Sequence, residues 1–137
     1  MGVTTHLIEM RGQADLDGVS KAITAKRARG LLVVQDPITL RAATDLAQLA
    51  AKHRIPGSHA YRQFVEAGGL MSYGVSFVGV TQAAVEYADK VLRGTPPSDL
   101  PMQIPTRYEF VINLKTAKAL GLTIPESVLR RADQVIE

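Results

Sequence analysis

Short apolar runs suited to strands alternate along this chain with stretches whose apolar residues recur every three or four positions. Thr4 to Met10, β-branched and apolar, predicts a first strand ahead of Arg11-Gly12. Leu16, Val19 and Ile23 then repeat at helical spacing. Asp15 and Asp17 stand in the first turn, where carboxylates suit the positive end of the dipole, and Gly30 closes the helix. Leu31 to Val34 is an unbroken apolar run, which predicts a central strand buried on both faces. After Gln35-Asp36-Pro37, Thr39 is placed to cap a helix through Leu40, Ala43, Leu46, Ala47 and Ala50, ended by Ile55-Pro56-Gly57.

Ser58 to Tyr61 predicts a weak third strand, followed by a short helical turn and a Gly68-Gly69 break. The strand Leu70–Gly74 leads into a long helix from about Ser76 to Arg93, with Val80, Ala84, Tyr87, Ala88 and Val91 along one face. Thr95 to Pro105 holds four of the seven prolines and predicts an extended connector. Tyr108 to Asn113 predicts a strand whose last residue caps a helix, Leu114 to Leu120, stopped by Gly121. Pro125 fits the first turn of a last helix carrying Val128, Leu129, Ala132 and Val135. Strands alternating with helices of this length predict an α/β fold with a parallel, Rossmann-like sheet, in one domain over residues 1–137.

Two stretches could carry a binding site. In Tyr61 to Gly74, YRQFVEAGGLMSYG, at least one glycine is expected to need a positive φ or an approach too close for a side chain. The strand that follows ends in Ser72-Tyr73-Gly74, which puts a hydroxyl and an aromatic face at a carboxyl edge, where open α/β sheets bind ligands. The plainer reading is a tight turn with Tyr73 half-buried. Asp36 follows the run LLVV, so its carboxylate falls at the same edge. There it could accept hydrogen bonds from a ligand amine or hydroxyl, or simply cap the next turn, since Asp-Pro commonly starts one. A phospho-acceptor role, as in response-regulator receivers, lacks the acidic pair those domains carry after their first strand; Met10-Arg11-Gly12 stands there instead.

Composition removes most enzyme chemistries. The chain has no cysteine, which excludes disulfides, a thiolate nucleophile and cysteine metal sites. His6, His53 and His59 lack metal-ligand spacing, and there is no phosphate-binding glycine loop or nucleophile elbow. No catalytic, metal or cofactor residue is therefore expected. A net charge of +3 without a run of five like charges gives a nucleic-acid partner little support. Lys26, Arg27 and Arg29 suit the end of a helix better than a binding patch. No apolar stretch is long enough to span a membrane, and MGVTTHLIEM lacks the features of a signal peptide, so the chain as written would be cytoplasmic.

Three motifs together, LLVVQDP, FVEAGGLMSYG and YEFVINLKTAKALGLTIPESVLRRADQVIE, resemble ABC-transporter solute-binding proteins of the tryptophan/tyrosine (TrpX-like) substrate-binding family. The resemblance runs from THLIEMRG to the end. It implies a lobe of a type I periplasmic binding protein: most of the carboxyl-terminal lobe plus the segments that cross the hinge, with the amino-terminal lobe absent. It implies periplasmic solute transport, an ABC permease as partner, and a small solute such as an amino acid held at the inter-lobe cleft. The residues it points to are Asp36, for the ligand's polar head, with Tyr61 and Tyr73 at neighbouring strand ends. Aromatic-binding members tend to carry Thr-Asp-Asn where this chain has Gln35-Asp36-Pro37, which leaves the ligand's identity open.

The resemblance also implies that the Ser76–Arg93 helix packs on the amino-terminal lobe. Without that lobe its apolar stripe would be an association site, so a homodimer is expected. The alternative function is a regulatory or protein-interaction domain without chemistry of its own.

Overall fold

The computed structural model describes residues 2–137, which form one five-stranded sheet with helices packed on it. The strands are β1 (Leu31–Leu32), β2 (Gly57–His59), β3 (Met71–Val75), β4 (Tyr108–Asn113) and β5 (Gln134–Ile136). They lie in sequence order. β1, β2 and β3 run parallel, β4 runs antiparallel to β3, and β5 is parallel to β4. The sheet is thus mostly parallel, and the α/β class expected from the sequence holds.

One face is built as a core. α1 (Leu16–Ala25), α3 (Ala43–Lys52) and α4 (Arg62–Glu66) contribute the buried Val19, Ile23, Leu46, Ala47, Leu49, Phe64 and Val65. Val33 and Val111 meet them from the sheet. Phe64 and Val65 are fully enclosed, and each such side chain contributes about 2 kcal/mol of burial free energy. Two glycines, Gly57 and Gly69, let the Phe64 ring in. A Cβ on Gly69 would stand 2.7 Å from the Phe64 carbonyl oxygen and closer still to its ring. Gly68 adopts φ 101°, a left-handed conformation that favours glycine. Both expectations for the Gly-Gly break are met.

Several elements depart from the sequence expectation. Thr4–Met10 takes up no regular secondary structure and joins no ladder; Ile8 and Met10 rest against the helical clusters instead, and Leu7 is exposed. β1 is an edge strand, not a central one. Val33 is 8% exposed, but Leu32 is 78% and Val34 70% exposed, because helices cover only the Val33 side. The helix foreseen after Gln35-Asp36-Pro37 breaks at Ala42 into α2 (Pro37–Arg41) and α3, and its cap is Asp36 rather than Thr39.

The last helix is only α7 (Glu126–Leu129). The chain beyond it becomes β5 because Asp133 is pinned to the start of β4: its N–H donates to the Phe110 carbonyl (2.8 Å) and its carboxylate accepts from the Phe110 N–H (2.7 Å). That fixes the register Val111 to Gln134 and Ile112 to Val135.

α5 (Phe77–Leu92) stands apart. Ser76 caps it, accepting from the Gly79 N–H, and sixteen helical residues follow, none of them buried. It makes no substantial packing contact with another helix or strand. Its neighbour is the connector, a largely irregular run with one turn of 3-10 helix at Pro97–Asp99. Tyr87 donates its hydroxyl to the Pro101 carbonyl, and the Ser76 N–H donates to the Arg107 carbonyl at 2.9 Å. α6 (Leu114–Ala119), capped by Asn113, follows β4 as expected.

Candidate functional site

Because β1, β2 and β3 are parallel, their carboxyl ends share one edge of the sheet. Asp36 follows β1 and Tyr61 follows β2, so the topology brings two of the three sequence candidates to that edge. Asp36 caps α2: its Oδ1 accepts from the Ile38 N–H (2.6 Å) and the Thr39 N–H (2.8 Å). Thr39 answers by accepting the Asp36 N–H at 3.0 Å. The capping reading is therefore correct. It does not exhaust the carboxylate, since both bonds go through one oxygen and the side chain is only half-buried.

Tyr61 is the N-cap of α4 and is half-buried. Its ring lies 5.3 Å from the ring of His59, and its N–H donates to His59 Nδ1 at 2.9 Å. His59 is thus the residue between the two candidates, and its role was missed in the sequence. The signal was available: in β2, Gly57 and His59 point to the core side and Ser58 does not, so strand alternation places a histidine inside. His59 is 2% exposed and also stacks on Phe64 at 5.6 Å. Burial lowers its pKa below the ordinary 6.5, against the opposing influence of the Thr39 backbone and the charge of Asp36.

Tyr73 lies elsewhere. It points to the side of the sheet that α1, α3 and α4 leave open, and it is 60% exposed. There it stacks on Tyr108 at 5.7 Å and meets Phe110 edge-on at 6.0 Å. Leu32 and Val34 are exposed on this same side, two strands away, so the open side presents an apolar surface with an aromatic cluster.

Asp36 and Tyr61 are each half-buried, which leaves the edge as a partly exposed shelf. Two concavities, of about 590 and 170 Å3, run instead along α5; the larger is lined by Phe77, Val78, Thr81, Gln82, Val85 and Glu86. A pocket for a small molecule ordinarily buries most of its ligand, which a shelf cannot do without a second surface. Among the described residues no cluster of three or more His, Asp and Glu side chains could hold a metal ion, and no helix is long and apolar enough to cross a membrane. Arg62 is structural: it pairs with Glu66 and Glu109, both at 2.8 Å, and donates to Gln134 at 2.7 Å, joining α4 to β4 and β5.

Several solved structures share this arrangement. A pneumococcal ABC domain in complex with L-Trp superimposes with a TM-score of 0.88 at 28% identity, over 98% of this chain and 45% of its own. A conserved domain protein from Vibrio cholerae O1 biovar El Tor gives 0.80 at 28% identity, over 90% of this chain and 42% of its own. The ligand-free, open form of a Clostridium difficile substrate-binding protein with adhesive properties gives 0.62 at 24% identity, a likeness of fold, over 88% of this chain and 41% of its own. The chain thus spans less than half the length of each of these proteins. A search of curated proteins finds no match. A family model described as ABC transporter substrate binding protein matches residues 1–136, and the chain belongs to that family.

Proposed function

We propose that this chain is one lobe of a solute receptor serving an ABC importer, of the type I binding-protein architecture, and that it binds without catalysing a reaction. The observation that carries the proposal is the partly exposed shelf at the β1–β3 edge, with a half-free carboxylate at Asp36 and an aromatic ring at Tyr61. In this reading Asp36 takes the amino group of an amino-acid-like solute and Tyr61 supplies an aromatic wall, while Tyr73, on the open side of the sheet, stands apart from them. A second lobe closes over the solute. The L-Trp carried by the pneumococcal relative supports an amino acid as the solute class. The importer's permease is the remaining partner, and the periplasm is where such a receptor works.

Calorimetric titration with L-tryptophan and a panel of other amino acids tests this. The proposal expects weak, saturable binding to at least one of them and its loss in Asp36→Ala. Binding that survives unchanged in Asp36→Ala overturns the site.

The exposure of α5 favours one further statement. An apolar helix with no buried residue needs a cover. A second lobe supplies it in a whole receptor; for the chain alone we propose that a second copy does, giving a homodimer. Sedimentation at micromolar concentration should return the dimer mass, and a monomer mass sinks this reading.

A further inference from the structure

His59 is buried between the rings of Tyr61 and Phe64, beside the shelf. Its ring is 2% exposed, and Nδ1 accepts the Tyr61 N–H, so a neutral ring must carry its proton on Nε2. Nε2 is itself buried and makes no hydrogen bond of normal geometry, though the Thr39 backbone lies close enough to act on the ring. The ring is wedged between the residues that flank the shelf: Tyr61 lies on it, and Asp36 and the Thr39 backbone of α2's first turn both act on it. One face rests on Phe64, at the centre of the core.

The chemistry of the Tyr61 bond is one-directional. A neutral imidazole offers Nδ1 as an acceptor, whereas an imidazolium carries N–H on both nitrogens and has no acceptor left. A second proton would therefore set an N–H of the ring against the N–H of Tyr61, inside a core that disfavours the charge. We propose that His59, protonated on Nε2 only, is the positioning residue of the solute shelf: it holds Tyr61 by ring and main chain, and releases it when the ring becomes charged. The assignment of the shelf itself rests on the function proposed above.

The charged groups around the ring agree with this. Asp36, before α2, is the one whose field reaches it and favours the charged form. Arg62, the first residue of α4, is engaged by Glu66 and Glu109. Burial outweighs Asp36, so the folded chain prefers the neutral ring. The linkage follows with a definite sign. A histidine whose folded pKa lies below the ordinary 6.5 leaves stability intact above 6.5. Stability then falls as the pH drops from there through the lowered folded value, because the unfolded chain binds the proton first.

Nuclear magnetic resonance of the whole chain tests the proposal, with His59 identified by its absence from the spectrum of His59→Asn. Long-range proton–nitrogen correlations at pH 7.5 should show the Nε2–H tautomer. On acidification toward pH 5, Tyr61 amide exchange, corrected for its intrinsic rate and referred to Val111, should accelerate about five- to tenfold, the loss of one hydrogen bond. His59→Asn keeps an acceptor for the Tyr61 N–H but cannot ionise, and its Tyr61 exchange should be flat over this range. An Nδ1–H tautomer, or Tyr61 exchange that does not respond to pH in the wild-type chain, overturns the proposal. Neither readout involves a solute, so failure to bind any amino acid would count against the shelf as a binding site and not against the role of His59.

Discussion

The two sides of the sheet follow different rules although the same strands make both. On the helical side Val33, Val111, Phe64 and Val65 are buried and interlocked, and glycines are placed where the Phe64 ring needs room. On the other side Leu32, Val34, Tyr73 and Tyr108 are 78%, 70%, 60% and 51% exposed, and α5 carries Phe77 and Val78 into solvent. The first side obeys the packing of a finished core. The second has the composition of a core that is covered at Ile112, 2% exposed and paired with Met71, but left open at Leu32, Val34, Tyr73 and Tyr108. Stability therefore resides mainly on one side, and the proposed recognition site uses the edge left open.

Substitutions can break that comparison. Phe64→Ala should cost about 3–5 kcal/mol in urea unfolding, as a large buried ring leaves a cavity, whereas Phe77→Ala on α5 should change stability by less than about 0.5 kcal/mol. Comparable losses at both positions would mean that α5 is packed in solution. Val33 and Leu32 are adjacent and point opposite ways, so they compare the two sides within one strand. Val33→Asp should cost roughly 2–4 kcal/mol by burying a charge, while Leu32→Asp should be nearly silent. Equal sensitivity at both would show that the outer side is also covered. A smaller loss than at Phe64 or Val33 is expected at the edge: Asp36→Ala removes the cap of α2 and should lower stability by about 1 kcal/mol. A Ser at the same position keeps the cap but not the charge, so Asp36→Ser should restore most of that stability without restoring solute binding.

The sequence was most legible where one local signal decides an element. Asn113 marks the start of α6 by its capping chemistry, the apolar period places a helix from about Ser76, and the structure starts both helices there. The Gly68-Gly69 break was equally clear, because a left-handed turn and a close ring contact both demand glycine. Burial on two faces was misread in Leu31–Val34, since an apolar run records a strand's potential to be covered and not what covers it. β5 was missed because its cause is remote: Asp133 hydrogen-bonds to Phe110, twenty-three residues earlier, and no helical period reveals this. Of the candidate residues, Asp36 and Tyr61 come to one edge, Tyr73 faces the other side, and His59 was passed over. Its importance lies in burial and in the Tyr61 amide, which spacing between histidines does not register.

The central claim is that the parallel-strand edge, and not the concavities along α5, is where a solute meets this lobe. Amide chemical shifts recorded while the chain is titrated with L-tryptophan test it residue by residue. The account predicts saturable shifts concentrated at Asp36 to Thr39 and at His59 to Arg62, small in affinity and absent in Asp36→Ala. Shifts confined to the Phe77–Glu86 surface of α5, with the Asp36 and Tyr61 amides unmoved, would contradict it.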